Sequence, residues 1–288
     1  EPQQRPELEK TAPVHLELLG SLWNILEAKL ELFAHLAPGS AWVYPAPDAF
    51  IRAGIANLPP VPHETIRFVP GMQMVEPGDP DLLLAEHLRW DDTGGGWEFD
   101  LRWREERCKT RLQTVALGQL WSALAAVAGA LALGVPLAAC AARLPATPAI
   151  TGRMEVRHRF PKRTILFDCY NSNPISAADA LTTLARLGQG HQTVAILGGM
   201  KELGPESERY HRELGAQARS LGIQQVLAIG DEAEWIADGA AGAATQVFTA
   251  ASIGEATGWL GSQVSGDAVV LLKGSRAYHL EDALEAAW

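Results

Sequence analysis

Five short apolar runs, TILFDC, QTVAILG, QQVLAIG, TQVFTA and DAVVLLKG, recur through the second half of the chain. Each is rich in Val, Ile and Leu, and each is followed by a segment of helical pattern: ISAADALTTLARL, ESERYHRELGAQARSLG, DEAEWIADGA, IGEATGWLGSQ and RAYHLEDALEAAW. Strands apolar on both faces that alternate with helices imply a parallel sheet covered on both sides. Right-handed crossovers then bring every strand's C-terminal end to one edge, where open α/β sheets bind ligands. The pattern predicts a Rossmann-like, doubly wound domain with DCYNSNP, LGGMKELGPES, IGDE and KGSR collected on that edge.

The first half has a different texture. VHLELLGSLWNILEAKLELFAHL reads as a strand exit followed by a helix, and WEFDLRWR alternates as an antiparallel strand does. LPATPAITGRMEV has the Pro/Thr composition of a linker, which sets a domain boundary near Pro148 and predicts domains 1–148 and 149–288. The run LWSALAAVAGALALGVPLAACAA carries no charge and is long enough to raise the question of a membrane span, but Gly134-Val135-Pro136 interrupts it. It reads as a buried helix, a turn and a second helix, not as a span. EPQQRPELEK is polar from its first residue, so no signal peptide is expected and the predicted location is cytoplasmic. A net charge of −10 gives no basic field for nucleic acid. The three cysteines, Cys108, Cys140 and Cys169, are too far apart for a CxxC metal site.

Several motifs have both a structural and a chemical reading. Asn173 before Pro174 suits a helix N-cap with Pro at the first helical position. That leaves Asp168, Tyr170 and Asn171 arriving together at a ligand-binding edge, where an aspartate accepts from ribose hydroxyls and an asparagine amide holds a carbonyl or carboxylate. KGSR, with Lys273 and Arg276 around a glycine turn that feeds the last helix, makes either an anion site or a plain β–α turn. His211 lies on a helix, where a lone histidine more often packs than catalyses. His15 and Glu17 in VHLE share a face if the segment is a strand, a spacing that serves a divalent cation. Lys29, in an otherwise largely apolar helix, either snorkels, pairs with Glu27 or Glu31, or has a function.

Taken in order, HLELLGS, EAKLELF, SALAAVAGALALGV, TGRME, DCYNSNP, LGGMKELG and KGSR resemble the Mur ligases, in particular the branch that adds D-alanyl-D-alanine to UDP-N-acetylmuramoyl-tripeptide in peptidoglycan biosynthesis. The resemblance runs from about Thr11 to the end and implies a partial central ATPase domain followed by the Rossmann-like C-terminal domain. It implies an ATP-dependent amide ligase: ATP phosphorylates a peptide carboxylate and an incoming amine attacks the acyl phosphate. By the same resemblance His15 holds Mg2+ and Lys29 is carbamylated to supply an anionic ligand. Arg153 approaches the ATP phosphates, Asp168 and Asn171 the nucleotide, and Asn173, Lys273, Ser275 and Arg276 line the substrate cleft.

The chain also departs from the family pattern. No GxxxxGK[ST] phosphate loop occurs in these residues, and the expectation is that it comes from a missing portion or a separate chain. Tyr44-Pro45-Ala46-Pro47-Asp48 stands where the family has Asn-Ala-Asp-Asp, Ala116-Leu117-Gly118-Gln119 replaces Gly-Arg-His-Asn, and Gly199 replaces the aspartate of LGDM. Three functions remain in play: a ligase fragment or divergent ligase, a degenerate Mur-ligase-like binding or scaffolding module that does not hydrolyse ATP, and a generic nucleotide-binding enzyme. The last lacks a GxGxxG after its first strand.

Overall fold

The computed structural model describes residues 16–37, 39–58, 64–71, 79–91, 95–159 and 162–287. These divide into two units, one holding residues 19–148 and the other 149–287 together with 16–18.

In the first unit, α2 (Leu22–Ala34) is capped by Ser21, whose hydroxyl accepts the Asn24 N–H. Its Phe33 meets Trp42 and Tyr44 of β1 (Ala41–Pro45) edge-on. β2 (Glu64–Pro70) pairs in parallel with β1 and β3 (Leu82–Asp91), and β3 continues antiparallel through β4 (Gly96–Trp103) to β5 (Glu106–Leu112). WEFDLRWR is thus the antiparallel strand its alternation predicts. The alanine-rich run forms α4 (Gly118–Ala132) and α5 (Leu137–Arg143), broken where Gly134 takes φ +80 and Pro136 opens the second helix. Leu120 and Leu124 of α4 are fully buried among Ile66, Phe68, Leu83 and Leu101 of the sheet. Burial on that scale is worth about 1.5–3 kcal/mol per side chain. No described helix is long and apolar enough to cross a membrane.

The second unit is a six-stranded sheet ordered β10-β9-β8-β11-β7-β6. β7 (Arg163–Asp168), β8 (Gln192–Gly198), β9 (Gln225–Ile229), β10 (Gln246–Ala250) and β11 (Ala268–Lys273) are parallel, as the five apolar runs predict. β6 (Glu155–Arg159) adds to β7 antiparallel and begins in the last two residues of the segment whose composition reads as a linker. Its sequence EVRHR is too polar to read as a buried strand, and a single pairing partner at a sheet edge is the arrangement such a strand tolerates.

The connecting helices are α6 (Pro174–Leu187), α7 (Ser207–Ser220), α8 (Ala233–Ala240), α9 (Ile253–Gln263) and α10 (Leu280–Ala287). Steps from β7 to β8, β9 and β10 run in one direction, and the return to β11 runs in the other. Right-handed crossovers therefore set α6, α7 and α8 on one face and α9 with α10 on the opposite face. Ile165 and Phe167, Val194 and Ile196, and Val270 and Leu272 form one core with Ala256, Leu260, Leu280 and Ala283 of α9 and α10. The intervening Leu166, Ala195, Leu197 and Leu271 are fully buried as well. That is why these strands read as unbroken apolar runs.

Two sequence expectations change. Glu17 lies in α1 (Leu16–Leu19), a helical turn, so the strand geometry invoked for His15 and Glu17 does not hold; the Glu17 N–H donates to the Glu202 carbonyl. His15 itself lies outside the described residues. The last helix does not begin at KGSR. A 3-10 turn over Arg276–Tyr278 and a left-handed His279 (φ +46) intervene before α10 starts at Leu280. The glycine turn of KGSR therefore does not run straight into a helix N-terminus, the geometry on which its anion-site reading was based.

Candidate functional site

β11 lies between β7 and β8 while its following helix goes to the opposite face from theirs, so the chain reverses direction here and opens a crevice at the strand ends. Two clusters of charged groups occupy this edge.

The first lies at the ends of β7 and β11. In their pairing register Lys273 is opposite Asp168. The Lys273 ammonium, on a residue only 1% exposed, reaches the Asp168 carboxylate at 3.0 Å and donates to the Asn171 carbonyl at 2.6 Å. Burial pushes the lysine below its ordinary range against the pull of Asp168. The second Asp168 oxygen accepts the Met154 N–H at 3.1 Å. Met154 sits at φ +52 in the TGRM turn, and Gly152 at φ +74 is so close to Tyr170 that a Cβ there would come within 3.3 Å of the tyrosine Cβ. The Tyr170 N–H closes the contact on the Gly152 carbonyl, and Arg153 stacks its guanidinium 4.2 Å from the Tyr170 ring centre. One buried ion pair thus joins TGRM, DCYNSNP and KGSR. Downstream, Asn173 accepts the Ser176 N–H, while the Ser176 hydroxyl accepts the Asn173 N–H. Ser172 is buried, and its hydroxyl has no hydrogen-bond partner among the described residues.

The second cluster lies at the ends of β8 and β9. Lys201 reaches Glu232 at 2.8 Å and lies 4.8 Å from the centre of the Tyr278 ring; the Tyr278 hydroxyl donates to the other Glu232 oxygen. Burial works against the charge on Lys201, yet its hydrogen bonds to Glu232 and Tyr278 outweigh that and hold it above the usual range. Glu232 is held low because the same two partners overcome its desolvation. Burial and the Glu232 carboxylate push Tyr278 up to about 12. The loop after β8 is pinned by His211, which is fully buried: Met200 donates its N–H to Nε2 at 2.8 Å, and Nδ1 lies 2.6 Å from the Ser207 carbonyl. An N–H donor on Nε2 requires the tautomer protonated at Nδ1, so the ring is neutral, and burial lowers its pKa. Both ring nitrogens are thus engaged by backbone groups, the packed setting that sequence reasoning favoured for a lone helical histidine.

Of the residues predicted for the site, Asp168, Asn171, Lys273, Arg153 and Asn173 come together at the β7–β11 end. Asp168 and Lys273 are buried against each other, and the Asn173 carbonyl is committed to the helix cap. The exposed polar groups are Asn171 and Arg153, with Arg276 beyond the turn, where it pairs with Glu281 at 2.9 Å. Ser275 is anchored by its backbone, donating to the Gly199 carbonyl at 3.0 Å. Lys29 belongs to the first unit and is exposed on α2. No three His, Cys, Asp or Glu among the described residues are grouped to hold a metal ion. Sequence reasoning placed Glu232 on this edge within IGDE without giving it a role, and it missed Tyr278; the glycines of LGG and IGD were the signal for both.

The model for the Mur ligase glutamate ligase domain matches residues 152–276. The UDP-N-acetylmuramoyl-tripeptide–D-alanyl-D-alanine ligase of Escherichia coli K12 is 29% identical over 239 residues, 81% of this chain and 49% of that protein. The enzyme of the same name from Haemophilus influenzae is 26% identical over 95% of this chain and 56% of its own length. Among solved structures, MurF of Acinetobacter baumannii superposes with a TM-score of 0.80 at 26% identity over 95% of this chain and 57% of that one. MurF of Thermotoga maritima in complex with ADP shares the fold, with a TM-score of 0.77 at 23% identity over 96% of this chain and 59% of that one. The chain spans about half the length of the curated relatives it matches.

Proposed function

We propose that the chain, whose residues 152–276 match the model for the Mur ligase glutamate ligase domain, is the acceptor-side part of an ATP-dependent amide ligase adding D-alanyl-D-alanine to UDP-N-acetylmuramoyl-tripeptide. In this reading the phosphate loop comes from outside these residues. The observation that carries it is the Lys273–Asp168 pair, which joins the three family motifs TGRM, DCYNSNP and KGSR around a single buried contact. These residues fit an anionic, nucleotide-bearing ligand: Arg153 and Arg276 present guanidinium groups at the edge, and the Asn171 side-chain amide has donors with no partner among the described residues. ATP would supply the phosphoryl group that activates the carboxylate. Arg153, already stacked on Tyr170, would orient its phosphates, and Asn171 would hold a carbonyl or carboxylate of nucleotide or acceptor. Lys273 and Asp168 would set the loop from which Asn171 projects. Magnesium enters this reading only through the family expectation for His15 and carbamylated Lys29.

A second reading, a binding module that does not turn over ATP, rests on Asp48. This residue ends the segment that replaces the family's Asn-Ala-Asp-Asp, and its carboxylate accepts the N–H groups of Phe50 and Ile51 as the cap of α3 (Ala49–Ala56). Pro45 and Pro47 beside it offer no donor. Calorimetric titration of the chain with Mg–ATP and, separately, with D-alanyl-D-alanine tests both. Binding of both supports the ligase part, dipeptide binding without ATP supports the module, and binding of neither removes the proposal.

A further inference from the structure

Tyr278 occupies a notch cut by three glycines. A Cβ on Gly198 would stand 3.1 Å from the ring's Cγ, one on Gly199 would stand 2.7 Å from its hydroxyl, and one on Gly230 would overlap the ring edge. Gly230 is also at φ +96, which a side chain rarely adopts. The glycines of LGG and IGD thus mark the space a tyrosine ring needs, at the ends of β8, which pairs with β11, and of β9, one strand farther out. The ring is then tied at its far end, the hydroxyl donating to Glu232, which Lys201 holds in turn.

The same ring ends the turn that carries Ser275 and Arg276. The Ser275 N–H donates to the Gly199 carbonyl, and the Tyr278 N–H donates back to the Ser275 carbonyl, each at 3.0 Å. Beyond the ring the chain passes through left-handed His279 to Leu280, which is fully buried. The turn is therefore fixed at the Ser275 N–H on one side and at Tyr278 on the other, with Arg276 exposed between. We propose that Tyr278 is a positioning residue: seated in the Gly198–Gly199–Gly230 notch and tied to Glu232, it sets the Ser275–Arg276 turn in the conformation that meets an anionic group of the ligand. The ligand half of this inference rests on the proposed function; the conformational half does not. The Arg276–Glu281 pair does not stand in the way: the guanidinium is 61% exposed and makes one contact to a carboxylate that is itself 15% exposed, which a bidentate contact to phosphate can outcompete.

Hydrogen exchange of the full chain, read by mass spectrometry, tests the conformational half. Tyr278→Ala should speed exchange over residues 274–279 by about tenfold or more while β11 stays protected, and Tyr278→Phe, which keeps the ring in the notch, should restore protection to within about threefold. Exchange at wild-type rates in Tyr278→Ala overturns the inference. If that variant loses protection in β11 as well, Gly199→Ala, which crowds the Glu232 carboxylate without removing the tyrosine, becomes the releasing variant and is read by the same criterion. Calorimetry with Mg–ATP tests the ligand half: Tyr278→Ala should weaken binding about tenfold and Tyr278→Phe should recover most of it. Faster exchange with unchanged affinity overturns the positioning role. A wild-type chain that binds no Mg–ATP removes the functional reading, and the exchange result then decides the conformational half on its own.

Discussion

Two lysines on one sheet edge behave in opposite ways. Lys273, 1% exposed, has one carboxylate partner and a backbone carbonyl, and burial drives its pKa down. Lys201 leaves 38% of its side chain exposed, has Glu232 and the Tyr278 ring, and its pKa is driven up. The pairs look alike in distance, 3.0 and 2.8 Å. What separates them is water. At the β7–β11 end desolvation is nearly complete, so the pair contributes registry between loops more than net stability, and loss of either partner strands a buried charge. At the β8–β9 end solvent still reaches the ammonium and screens the pair.

The largest expected effect follows from that contrast. Lys273→Ala leaves the Asp168 carboxylate, 9% exposed, with only the Met154 N–H among the described residues, and should cost about 3–5 kcal/mol in chemical denaturation. Lys273→Met with Asp168→Asn should recover much of that loss, since no uncompensated charge remains. Equal costs for Lys273→Ala and Lys201→Ala would break the comparison.

Gly230→Ala comes next. It places a side chain at φ +96 and overlaps the Tyr278 ring, two independent penalties at the β8–β9 end. A loss of about 2 kcal/mol is expected, read as a lower denaturation midpoint at unchanged slope. A silent substitution would mean the notch is looser than its contacts indicate.

Most of the second unit was legible because a buried parallel sheet writes itself as apolar runs, and the Asn173–Pro174 cap was legible because its chemistry is local. β6 was not, since its partner lies on one side only and EVRHR carries no apolar signal. The roles within the edge were less visible still. Lys273 and Asp168 could be placed there, but whether they face a ligand or each other depends on strand register, which no local pattern records. Tyr278 was read as a residue of a helix that would begin at Arg276, because RAYHLEDAL has helical spacing. The turn that displaces the helix is imposed by glycines some 50 and 80 residues away in sequence.

His211 sharpens the contrast through pH. Its folded pKa lies below the ordinary 6.5, so below that pH the unfolded chain takes up the proton first and the folded state loses stability. The loss should approach about 1.4 kcal/mol per pH unit until the folded ring itself titrates. His211→Gln, which has no proton to take, should show a flatter melting-temperature profile between pH 7 and pH 5. A wild-type slope retained in that variant would assign the acid sensitivity to another group.

The smallest effect belongs to Lys201→Met. The raised pKa of Lys201 suggests strong coupling to Glu232, but the group is more than a third exposed, and screening discounts that coupling to below about 1 kcal/mol. Removing the ammonium leaves Glu232 with the Tyr278 hydroxyl, so the carboxylate is not stranded as Asp168 would be. Glu232 has a lowered pKa in the fold; the stability it contributes is present above its ordinary value of 4.5 and fades as pH falls through the folded value. Part of that contribution is the Lys201 hydrogen bond, so Lys201→Met should be less stable than wild type at neutral pH and converge with it in acid. Raising salt from about 0.05 to about 0.5 M should shrink the neutral-pH difference, because a pair whose ammonium meets solvent is screened over a few ångströms at that ionic strength. A cost near that of Lys273→Ala, unmoved by salt, would show that the β8–β9 pair is as dry as its neighbour and that solvent is not what separates the two lysines.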